Sequence, residues 1–267
     1  MAVADASVGL GDLLRHWRRV RRLSQLDLAS AARTTPRYVS FVETGRAQPS
    51  RQMVVRLAVA LEVPLRERNG LLLAAGYAPL YRATGLDESG LALVEQALAS
   101  MLAQHEPFPA VVMDRGWTVL RANAGAQRLF GGLVAPAALP DDPNILDLML
   151  EPGPVREAVV NWEVVAPVLL ERVQREAVGG VVDAATSERL ARLRARPELA
   201  ALLDAPPVGG GAPVFDVVFA LGGQQLRFFS LVSTVGTPAD VTAQELRVEA
   251  FYPSDDATRD GWNDGAV

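Results

Sequence analysis

The sequence predicts two domains of different class: an all-α bundle of five short helices, then an α+β domain built on an antiparallel sheet. Three observations carry this reading. Up to about residue 80, helix-start residues and glycine or proline stops alternate around apolar residues at helical spacing. Strand-like alternation begins only after residue 108 and returns after residue 213, with helical segments between. Charge is also segregated: residues 1–82 hold 13 Arg against 6 acidic residues, net +7, and the remainder is net −12, which leaves −5 for the 267-residue chain. Such asymmetry places a basic, polyanion-binding module on an acidic partner.

Composition narrows the chemistry. At 267 residues, with 49% hydrophobic and 21% charged residues, the chain reads as soluble and long enough for two real cores. With no Cys, disulfides, thiolate metal sites and cysteine nucleophiles are excluded. No apolar run reaches the length of a membrane span, and residues 1–10 lack the charged start of a signal peptide, so no membrane association and a cytoplasmic location are expected.

The first helix is predicted from Leu10, Leu13, Leu14, Trp17 and Val20, with Arg18, Arg19, Arg21 and Arg22 mostly off that stripe. Ser24 and Asp27 form a capping box for the second helix, which breaks at Arg33-Thr34. Thr35 is the next N-cap, Pro36 occupies the first helical position, and Gly45 suits the residue past the end. This third helix turns Val39 and Val42 inward and Arg37, Ser40 and Thr44 outward. A short helix with a polar, cationic outer face after a tight turn has the geometry of a recognition helix for the DNA major groove. Ser50 caps a fourth helix (Met53, Val54, Leu57, Ala58, Leu61 inward), and a fifth runs over Leu65–Ala75 to Gly76.

The run Ser24-Gln25, Leu28-Ala29, Ser40, Glu43-x-Gly45 and Pro49-Ser50 resembles the helix-turn-helix of Xre/Cro-like regulators. Its continuation, Pro64-Leu65-Arg66-Glu67-Arg68-Asn69 and Ala74-Ala75-Gly76-Tyr77-Ala78-Pro79, resembles the MmyB-like subfamily; the likeness covers Leu10 to Tyr81. Ala32-Arg33 fills a turn position that is often Gly, and Pro36 stands where Arg is common. The resemblance implies that Arg18 pairs with Glu43, fixing the first helix to the third, and that Gln25 lies against the DNA backbone or a base edge.

The second half opens with an amphipathic helix (Leu91–Gln104), then a hairpin of 109–113 and 117–122 around Asp114-Arg115-Gly116. Asn123 starts a helix to Phe130 that stops at Gly131-Gly132, and Asn144 caps Ile145–Leu150. A long helix over Pro154–Val178 is expected to kink or divide at Pro167, and helical pieces follow at Ser187–Arg196 and Pro197–Leu203. Three strands come next, Val214–Leu221, Gln224–Ser233 and Gln244–Tyr252, with Gly222-Gly223 as a hairpin turn. This order predicts helices over one face of an antiparallel sheet and is similar to a PAS-like sensor. Trp117, Leu120, Ala122-Asn123, Leu129-Phe130 and Asn161-Trp162-Glu163 carry the MmyB-like resemblance here. The expected division is 1–80 for the DNA-binding domain, 81–86 for a linker, 87–252 for the sensor and 253–267 for an acidic, disordered tail.

The residues point to a transcription regulator, not an enzyme. Neither His16 nor His105 has metal-ligand or triad spacing, and nucleophile-elbow, P-loop and dinucleotide motifs are absent, so no catalytic residue, metal or cofactor is assigned. A homodimer on a roughly palindromic double-stranded operator is expected. Arg37 is the candidate base contact, flanked by Gln25, Thr35, Tyr38, Ser40 and Thr44, with Arg46 and Arg51 on phosphates. Strand candidates apolar on both sides suggest a ligand cavity lined by Phe130, Leu146, Met149, Trp162, Phe215 and Phe228. The resemblance implies a small apolar effector such as a fatty acid. Arg227 and Arg247 are the only basic residues among these strands, which disfavours a phosphorylated ligand. The alternative is a protein-interaction module that binds no small ligand.

Overall fold

The computed structural model describes residues 9–135, 138–177, 182–204 and 214–263. They form two compact units. One runs to Gly85 and takes in Thr237–Gln244; the other covers Leu86–Gly236 and the chain from Glu245.

The first unit holds α1 (Leu10–Val20), α2 (Gln25–Ala31), α3 (Pro36–Glu43), α4 (Arg51–Ala60) and α5 (Leu65–Ala74). Their starts follow local chemistry. The Ser24–Asp27 capping box is present in both directions, the Thr35 hydroxyl accepts from Tyr38 N, and that of Ser50 accepts from Met53 N. Stops are set by backbone: Gly45 (φ +71°) follows α3 and Gly76 (φ +80°) follows α5. Leu14, Trp17, Leu28, Val39, Val42, Val54, Leu57 and Leu71 fill the centre. Gly11 lets α1 approach α3, since a Cβ there would lie 2.4 Å from the Glu43 carbonyl oxygen.

Two further pieces complete this unit. Asn69 fixes the chain after α5, its Oδ1 accepting from the N–H groups of Leu80 and Tyr81. The returning segment buries Val241, and Asp240 Oδ2 accepts from the Thr84 hydroxyl at 2.7 Å. Gln244 Oε1 accepts from Leu65 N at 2.7 Å, satisfying an N–H that the Pro64 side chain at the N-cap of α5 has no oxygen to meet.

The second unit is built on β1 (Ala110–Met113), β2 (Val119–Ala122), β3 (Val217–Leu221), β4 (Gln224–Thr234) and β5 (Arg247–Pro253), all antiparallel in the order β2-β1-β5-β4-β3. A single 3-10 turn leads into α6 (Ala92–Gln104), whose Leu98 and Leu102 cover Ala110, Val112 and Val248 on one face. The opposite face carries α7 (Ala124–Leu133), α8 (Ile145–Leu150), α9 (Pro154–Ala158), α10 (Trp162–Arg175), α11 (Ala184–Arg194) and α12 (Pro197–Asp204). Both faces are therefore covered, as strands apolar on both sides require, where the order of elements alone suggests helices over one. The main core joins Val111, Met113, Phe219 and Leu226 to Leu129, Leu150, Leu170 and Leu193.

Several elements differ from expectation. α7 continues through Gly131-Gly132 to Leu133, and a Cβ on Gly132 would come within 3.0 Å of Leu221, so the glycine makes room for packing. The long helix divides at 159–161, not at Pro167, which α10 absorbs. There Val159 bridges Phe219, Val160 N donates to Val218 O, and Asn161 bonds the backbone of Asp216 and Val218. The edge strand captures this stretch. The β4–β5 connection contains α13 (Val241–Glu245), where strand was expected from Gln244. The expected disordered tail instead forms α14 (Asp256–Asn263), with Trp262 fully buried against Phe228. Residues 208–211 of the Gly-rich stretch and residues 264–267 lie outside the described residues.

Candidate functional site

The recognition element is α2, its turn and α3. Arg33 closes α2 in the left-handed region at φ +52°, the position where Gly is common, and so bends the chain into α3. On α3, Val39, Val42 and Glu43 are buried, while Arg37 and Thr44 are exposed and Ser40 and Tyr38 half-exposed. Thr35, Arg46 and Arg51 are exposed around this surface. The guanidinium of Arg37 lies over the Phe41 ring at 5.2 Å. The Thr44 hydroxyl donates to Ser40 O at 2.8 Å, so its polar atom is turned towards its own helix.

Glu43 organises the three helices. Its Oε1 accepts from Arg18 Nε at 2.7 Å, its Oε2 from Arg18 Nη2 at 3.0 Å and from Gln25 Nε2 at 2.9 Å. Arg15 Nη2 donates to the Glu43 carbonyl. Burial opposes ionisation of Glu43, but the hydrogen bonds from Arg18 and Gln25 and the charges of Arg18 and Arg15 outweigh it, so its carboxyl titrates below the ordinary range. Gln25 is thus tied to Glu43 and half-exposed at the start of α2. Arg21 is also committed, donating to the carbonyls of Leu61 and Glu62, while Arg19 and Arg22 are exposed.

In the second unit, Leu146, Met149 and Phe228 belong to the main core, with Phe130 and Trp162 packed against it. Phe215 is different: it precedes β3 and is 47% exposed, so it does not join them. Side chains occupy the interior where ligand space was expected. An open cleft of about 330 Å³ lies along Arg156–Val164, with Arg156 stacked on Trp162 at 4.0 Å. A second cavity, about 10 Å³, lies beside Trp117, Val173 and Thr186 and has room for roughly one water.

That small cavity borders a buried ion network that sequence spacing did not reveal. Trp117, buried and held at φ +69°, has the guanidinium groups of Arg172 and Arg247 over its ring at 5.1 and 5.8 Å. Arg115 pairs with Glu245 (2.9 Å) and Asp183 (3.4 Å), and Arg172 pairs with Glu176 and Glu249 (both 2.7 Å). Burial, with repulsion from Arg172 and Arg115, lowers the Arg247 pKa. Arg247 is therefore not isolated, as the strand sequences suggested, but carboxylates lie among the three arginines.

Two family matches account for most of the chain. The MmyB-like transcription regulator ligand binding domain matches residues 94–261, and a helix-turn-helix domain matches residues 9–71. The chain belongs to the MmyB-like transcription regulators. It is also similar to Multiprotein-bridging factor 1 of Candida albicans, 33% identical over 69 residues. That stretch covers 26% of this chain and 46% of the relative, so the chain spans about half the length of the curated protein it matches.

Both matched models are regulator domains: a helix-turn-helix domain, then the ligand binding domain of MmyB-like transcription regulators. Among the described residues no group of three or more His, Asp or Glu is placed to hold a metal, and no helix is long and apolar enough to cross a membrane. Of the candidate DNA contacts, Thr35, Arg37, Tyr38, Ser40, Thr44, Arg46 and Arg51 reach the surface of the first unit, fully or in part. Phe41 was missed. Its position two residues after Val39 and one before Val42 is the signal that places it on the outer face.

Proposed function

We propose that this regulator binds a two-fold operator as a homodimer in the cytoplasm and that its second unit responds to a small apolar molecule, a fatty acid being the class that the family resemblance implies. The exposed recognition face of α3, braced by Glu43, carries the first half of this reading. Arg37 reads a base, guanine by the fit of its fork, while Arg46 and Arg51 meet phosphates. No residue is assigned a catalytic role.

For the effector, the supporting observation is chemical: Leu146, Met149 and Phe228 in the core, with Phe130 and Trp162 packed against it, offer apolar contact. Binding there requires these side chains to part, with the cleft at Trp162 as the approach. The packed interior is also the observation favouring the second reading, a protein-interaction module without a small ligand. Mass spectrometry of an organic-solvent extract from the purified full-length protein decides between them. A stoichiometric lipid supports the effector reading; an empty extract, together with no uptake of added fatty acid, contradicts it.

A further inference from the structure

One apolar residue, Phe41, stands on the outer face of α3. Val39, Val42 and Glu43 are buried. At 3.6 residues per turn, Phe41 lies opposite their mean direction, between Arg37 and Thr44. It is half-exposed, and the Arg37 guanidinium one turn earlier rests over its ring at 5.2 Å. This stack restrains a long side chain that would otherwise sample many rotamers. The outer part of the Phe41 ring gains nothing for folding while it faces water.

The neighbouring residue adds to the pattern. Because the Thr44 hydroxyl donates to Ser40 O, its hydrogen is spent on the helix itself. The centre of the reading face is thus an aromatic ring with a cation stacked on it, beside a threonine whose donor is already used. In the major groove, the apolar feature a base pair displays is the thymine methyl.

We propose that Phe41 determines specificity by contacting a thymine methyl, while its ring holds Arg37 in place to bond guanine at a neighbouring base pair. The inference rests on the DNA-binding reading and adds to it the identity of a base. Arg37 and Phe41 are one helical turn apart, so the two bases they meet lie within a few steps of each other along the groove.

The test begins by enriching binding sites from a random duplex pool with the full-length protein, wild type and the variants Phe41→Ala and Phe41→Leu. Each thymine of the enriched half-site is then replaced by deoxyuracil, which removes the methyl and leaves every hydrogen-bonding group. Wild type should lose about fourfold in affinity at one position, the factor that burying one methylene-sized group supplies. Phe41→Ala should bind the two duplexes equally, and Phe41→Leu should keep part of the difference. Indifference of the wild type to every replacement overturns the assignment, as does an equal loss in Phe41→Ala. A wild type that enriches no sequence fails at an earlier step and removes the DNA-binding reading together with the inference.

Discussion

Arg18 and Glu43 meet in a two-pronged ion pair, Nε to Oε1 at 2.7 Å and Nη2 to Oε2 at 3.0 Å, that joins α1 to the recognition helix. The Glu43 side chain is 2% exposed and that of Arg18 16%. Removing one partner leaves the other charge buried and unpaired, at a cost of about 3 kcal/mol. Glu43→Ala is therefore expected to speed amide hydrogen exchange throughout α1–α3. Exchange rates there matching wild type would mean the pair is not a brace.

The same carboxylate sets a pH response. Its native pKa lies below the ordinary glutamate value, so the unfolded chain takes up the proton first as pH falls. The stabilisation is complete above the ordinary value of about 4.3 and is lost progressively towards the lower native pKa. Denaturation of wild type and Glu43→Gln across this range should show the wild-type advantage shrinking as acid is added. A constant difference would contradict the assignment.

Arg37 and Arg51 are predicted to fail differently. Arg37→Ala should cost about 1–3 kcal/mol on the operator and relax preference at one base, since a forked contact to guanine is lost. Arg51→Ala should weaken specific and random DNA alike and lower the slope of affinity against salt by about one. Equal losses on both kinds of DNA in both variants would remove this division.

Arg33 holds the left-handed region without being glycine. The side chain costs about 1–2 kcal/mol there, partly offset by the extra chain entropy glycine brings. Arg33→Gly should raise the melting temperature of the first unit, by up to about 1 kcal/mol in stability. A lower melting temperature would show that the Arg33 side chain contributes a contact worth more than the strain.

Trp262 tests the ordered C-terminal helix. It is fully buried, donates through Nε1 to Pro107 O at 2.7 Å, and has the Arg128 guanidinium 3.8 Å over its ring. Trp262→Ala should destabilise the second unit by about 3–5 kcal/mol. An unchanged thermal melt would restore the picture of a disordered tail.

The contrast between units shows what a sequence makes legible. In the first, caps such as Ser24, Thr35 and Ser50 act on groups three residues away, so local pattern locates each helix start. The Arg18–Glu43 pair followed from resemblance. In the second, the Gly222-Gly223 turn and the flanking alternation marked a hairpin, with both glycines at positive φ. What was missed depends on distance along the chain. Arg115, Arg172 and Arg247 are brought round Trp117 by tertiary packing, and no spacing announces that. The division of the long helix was misplaced because the pull of β3 on Val159 and Asn161 outweighs Pro167. Acidic residues around Trp262 read as a solvated tail, yet one buried aromatic docks the helix.

If the second unit is a sensor, its occupancy changes how the first binds DNA. The direct measurement is the operator Kd of the full-length protein after extraction of bound lipid, and again after reloading with palmitate. Kd should change by at least about fivefold between the two states, the lower range of ordinary coupling between sites. Identical Kd values, with palmitate shown to be bound, would contradict it.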